Sequence, residues 1–93
     1  MTHLDRLFAD IAEKLKTESF VAIDPEPMRE AIHHDYGILI AAGYTDGIIP
    51  DTHKKAADHG IEWSTRLRHD LSTDIVFVKA GNWDLHEMPV RNM

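Results

Sequence analysis

The sequence predicts an α+β domain: two to three N-terminal helices packed on a small C-terminal antiparallel sheet, either a β-hairpin or a three-stranded meander. Three observations carry this reading. Apolar residues recur with a period near 3.6 in the first part of the chain, the period drops to two from Ile61 onward, and Gly, Pro and Asp punctuate the change. The periods separate the two structures because side chains advance by about 100° per residue on a helix but alternate faces on a strand.

Thr2, followed three residues later by Asp5, is a helix-start signature, and Leu4, Leu7, Phe8, Ile11, Ala12 and Leu15 then share one face. Asp5 near the start and Lys14 and Lys16 near the end suit the helix dipole, which places the boundary at Lys16 or Thr17. Ser19 to Ile23 reads as a short extended piece. Asp24 before Pro25 starts a second helix, because proline at the first helical position sacrifices no hydrogen bond. Met28, Ala31, Ile32, Tyr36, Leu39, Ile40 and Gly43 fall on one side of it, with Arg29, Glu30, His33 and His34 facing away. Gly37 leaves a second option, a buried strand over Ile38 to Ala42, but one helix is favoured.

The stretch from Gly43 to Gly47 reads as a turn, and Pro50-Asp51 restarts a short helix that runs through His59 and stops at Gly60. Ile61, Trp63, Thr65 and Leu67 then alternate with Glu62, Ser64, Arg66 and Arg68, the pattern of a half-buried strand with both arginines toward solvent. Asp70 to Asp74 is the next turn, and Ile75 to Val78 supplies an antiparallel partner. Gly81-Asn82 offers a further turn before Trp83 and Leu85, which would complete a meander.

Ninety-three residues without an internal linker fit a single domain over 1–93, with residues 89–93 expected to fray. There is no cysteine, so thiol nucleophiles, Cys-based zinc sites and disulfides are excluded together. Charges within the first six residues disfavour a secretory signal, and the longest uncharged run, Tyr36 to Thr45, is ten residues, about half of a membrane span. A cytoplasmic setting is the expectation. The net charge of −6 is uneven: residues 1–50 carry nine acidic and four basic side chains, residues 51–93 seven and six. Generic nucleic-acid binding is therefore disfavoured, since the field of the chain repels phosphate.

No motif of known chemistry appears. The seven histidines include no pair four apart on a helix and no HExxH spacing, so no metal ligand is assigned. The glycines form neither GxGxxG nor a Walker A loop, and Ser19, Ser64 and Ser72 lack a glycine-flanked elbow. His69-Asp70 and Asp84 with His86 are the nearest approaches to acid–base pairs, at spacings that chance readily supplies. No catalytic residue and no cofactor is assigned.

Two functional readings remain. In the first, the chain is a small acidic interaction protein, not an enzyme, that inhibits or adapts a macromolecular partner with a basic surface. A nucleic-acid-handling complex of the kind phages and plasmids target is one such partner. Its binding face would be Asp10, Glu13, Glu26, Glu30 and Asp35 on the two leading helices. In the second, Arg66, Arg68 and His69 contact a small anion or nucleotide beside Trp63 and Tyr44. The small residues Gly37, Ala41, Ala42 and Gly43 would admit another helix closely, either helix one or a second copy in a homodimer.

Overall fold

A computed structural model describes residues 2–83. The elements follow in the order α1 (His3–Lys14), β1 (Val21–Ile23), α2 (Pro25–Ala41), α3 (Ile48–Asp58), β2 (Ile61–Leu67) and β3 (Thr73–Lys79). The fold is α+β, with three helices leading and an antiparallel hairpin following. Among the described residues, the third strand does not continue that hairpin. It is β1, from between the first two helices, and the sheet order is β1-β3-β2. Asp84, Leu85, His86 and 89–93 lie outside the described residues.

Strand β3 is central, which explains its uninterrupted apolar run: a strand covered on both faces gains nothing from alternation. Ile75 and Phe77 stand opposite Thr65 and Trp63 on β2 and opposite Ile23 and Val21 on β1. This face receives the helices. Leu4, Phe8 and Ile11 of α1 with Leu15 at its C-cap, Met28 and Ala31 of α2 and Ala56 of α3 close over it in one core. On the other face Val76 and Val78 are fully buried, with Phe20 and Trp83 packed against them.

Helix ends obey local chemistry. The Thr2 hydroxyl accepts from the Asp5 backbone N–H at 3.1 Å and donates to the Asp5 carboxylate at 2.8 Å. At the end of α2, Gly43 N–H donates to Ile40 C=O (3.1 Å) and Tyr44 N–H to Leu39 C=O (2.9 Å), a Schellman motif with Gly43 at φ +86°. Gly60, φ +76°, plays the same part after α3. Helix α2 continues through Gly37, but Tyr36 departs from helical geometry (φ −122°, ψ 17°), so the helix kinks there and no strand forms over Ile38 to Ala42.

Beyond the kink, α2 leaves the core. Ile38 is 87% exposed and Leu39 44%, where the regular period placed Leu39 inside. The hairpin likewise outruns the helices, leaving Thr65 exposed and Leu67 56% exposed despite the alternation. No helix among the described residues is long and apolar enough to cross a membrane.

Candidate functional site

Three carboxylates tie the helices together pairwise. Asp35 on α2 accepts from the backbone N–H groups of His3 (3.0 Å) and Leu4 (2.8 Å), capping α1 from a neighbouring helix. Its side chain is only 7% exposed, so it is not part of an outward acidic face, because the unpaired donors at the start of α1 draw it inward. Burial alone would raise its pKa. The Leu4 and His3 donors outweigh that and hold it below the ordinary carboxylate range. His3 also stacks on His34 with ring centroids 4.3 Å apart.

The second tie joins α1 to the end of α3: His59 Nε2 lies 3.0 Å from Asp5 Oδ1. His59, with Thr2, lowers the Asp5 pKa to about 2. An Asp–His pair invites comparison with a catalytic dyad. Both Asp5 oxygens are engaged, however, and among the described residues no nucleophilic side chain hydrogen-bonds to His59. The third tie joins α2 to α3, where the Tyr36 hydroxyl donates to Asp51 Oδ2. Burial, reinforced by the adjacent Asp51 charge, raises the Tyr36 pKa well above the tyrosine range, so this proton stays in place.

That last pair lines a cleft of about 430 Å³, within the range of small-ligand pockets. Its walls include Leu39, Tyr44, Asp46 and Ile48, with Gly43 and Gly47 turning the chain between the two helices. Tyr44 is 72% exposed, and Ile38 on α2 and Ile49 on α3, next in sequence to the lining residues Leu39 and Ile48, are exposed as well. Leu39, Tyr44 and Ile48 thus share this cleft with two carboxylates, Asp46 and Asp51.

The remaining acidic residues are dispersed. Asp10, Glu13, Glu26 and Glu30 are exposed, but Glu13 pairs with Lys16 (3.0 Å) and Glu26 with Arg29 (2.6 Å), which leaves Asp10 and Glu30 as the two exposed acids of the expected face without an ion pair among the described residues. The basic cluster is also spent internally. Arg66 and Arg68 both donate to Asp74, whose side chain is 4% exposed, and Arg68 lies 3.6 Å from Asp24. Arg66 is therefore mostly buried, not solvent-facing, because its register partner on β3 is Asp74. Arg68, then Arg66, hold the Asp74 carboxyl below its usual range.

Trp63 is buried and stacks on His53, with centroids 4.1 Å apart and planes 2° from parallel. His69 is exposed on the hairpin loop. Tyr44 lines the cleft, whose walls include none of the other four residues of the expected anion site, Trp63, Arg66, Arg68 and His69. Helix α1 packs on α2 ahead of the kink, through Leu4, Phe8, Met28 and Ala31, and Ala41 to Gly43 stay exposed. Among the described residues no three His, Asp or Glu converge to hold a metal.

Sequence reading did not single out Asp46 and Asp51, and it assigned Leu39 to the core. The available signal was the uncharged run from Tyr36 to Thr45 ending in Gly43-Tyr44, apolar residues carried past a helix stop. Searches against family models, curated proteins and solved structures return no match.

Proposed function

We propose that this chain is a small non-enzymatic interaction protein that inhibits or adapts a macromolecular partner, docking it at the corner where α2 ends and α3 begins. One observation supports this most directly: Leu39 and Tyr44, both exposed, line an acidic cleft. Exposed apolar clusters are costly for a solitary protein unless something covers them, and aromatic side chains anchor interfaces well. The net charge of −6, with Asp46 and Asp51 at the cleft, favours a partner with a basic surface, such as a nucleic-acid-handling complex. The self-neutralised Arg66–Arg68–Asp74 cluster gives the anion-binding alternative less support.

The test is capture from the source cells with wild-type protein and a Leu39→Asp/Tyr44→Asp variant, at low and high salt. A stoichiometric protein held by wild type, released by salt and missed by the variant is the expected outcome. Equal capture by both proteins removes the corner from consideration. A parallel variant reversing Asp10, Glu13, Glu26 and Glu30 separates the helical acids from the cleft: unchanged affinity discounts them.

A further inference from the structure

We infer that the α2–α3 cleft seats an arginine or lysine side chain projecting from an apolar segment of the partner. This rests on the corner being the docking surface, and it names the chemistry that the cleft selects. The walls carry two carboxylates, Asp46 and Asp51, and among the described residues they include no lysine, arginine or histidine. Neither carboxylate forms an ion pair with a cation of the chain among the described residues, although Lys55 stands one turn beyond Asp51 on α3. The start of α3 also faces this space. Its dipole contributes about half a positive charge, too little to offset two full negative ones.

The Tyr36 hydroxyl fixes Asp51 by one oxygen, Oδ2, and Oδ1 has no hydrogen bond among the described residues. A bound cation would meet an oriented acceptor. Around the carboxylates, Leu39, Tyr44 and Ile48 supply apolar wall, which suits the aliphatic stem of a basic side chain, and tyrosine rings attract a cation at their faces. A bare metal ion fits less well, because two carboxylates fall short of the usual ligand number.

The experiment is a titration of isotope-labelled full chain, followed by amide chemical shifts. The probe is the blocked peptide Leu-Arg-Leu-Leu, and its control is the same peptide with citrulline, a neutral isostere, in place of arginine. Shifts should concentrate at Gly43, Tyr44, Asp46, Gly47 and Ile48. Binding should weaken about tenfold or more with citrulline, and likewise with arginine against Asp46→Asn, a difference of roughly 1.4 kcal/mol. Asp46→Asn breaks no internal bond, and its undisturbed spectrum verifies folding. Equal binding of both peptides at the cleft overturns the cation assignment while leaving the corner as a docking surface. Shifts elsewhere, or none, also overturn it, and the capture experiment then decides the corner independently.

Discussion

Asp35 and Asp74 show how much a single carboxylate accomplishes in a small protein. Asp35 satisfies two donors at the start of α1, as a capping side chain would, but from 31 residues away. Asp35→Ala should therefore cost about 1–2 kcal/mol, the scale of a lost cap, with Asp35→Asn losing less because one acceptor remains. Urea denaturation measures both. Asp74 is enclosed by two guanidinium groups, so Asp74→Ala leaves Arg66 buried and uncompensated and should cost about 3 kcal/mol. Asp24→Ala removes only an exposed contact with Arg68 and should stay within about 0.5 kcal/mol of wild type. The depressed pKa values of Asp5, Asp35 and Asp74 set the direction of acid sensitivity. Each ionises more readily folded than unfolded, so its contribution is complete above the ordinary carboxylate range and is lost as pH falls through the folded value. For Asp5 that window runs from its ordinary 3.8 down to about 2, and Asp5→Asn should flatten that part of a melting-temperature profile. The Asp5 effect itself should reach about 1 kcal/mol after solvent screening.

At the level of elements, two glycines with different backbones make opposite predictions. Gly37 has no left-handed φ, and a methyl group there would meet nothing within 4 Å, so Gly37→Ala should gain the helix-propensity difference of about 0.5–1 kcal/mol. Gly60 has equal space but sits at φ +76°, where any Cβ is strained, and Gly60→Ala should cost about 1–2 kcal/mol. Thermal melts of the two variants should move in opposite directions. The kink falls at Tyr36, whose hydroxyl donates to Asp51, and beyond it Leu39 and Tyr44 reach the surface.

Among the described residues the molecule has a well-buried centre, with apolar side chains left in water both where α2 meets α3 and on the hairpin, at Leu67 and Leu71. Tyr44 and Leu39 lie outside the core cluster, so the Leu39→Asp/Tyr44→Asp variant should still unfold cooperatively, at a cost of about 1–2 kcal/mol for the covered part of Leu39 and the added charge. Its binding should nevertheless fail. That separation of stability from association, read by calorimetry beside capture, distinguishes an interface from a misplaced piece of core.

By itself the sequence determined what lies within a turn or two of chain. The Thr2–Asp5 cap, the start at Pro25, the stops at Gly43 and Gly60 and the alternation from Ile61 were all readable, because each depends on neighbours a few residues apart. Where alternation predicted exposure without regard to register, it erred: Arg66 is drawn in by Asp74 across the hairpin. Only the tertiary structure decided that β1 completes the sheet on the far edge of β3, and that Asp5, Asp35 and Asp51 find partners 54, 32 and 15 residues away. Those pairings follow from how the packed helices are turned and spaced over the sheet. The cleft belongs to the same class, for its walls come from the end of α2, the turn after it and the start of α3, brought together across a kink that the apolar period did not reveal.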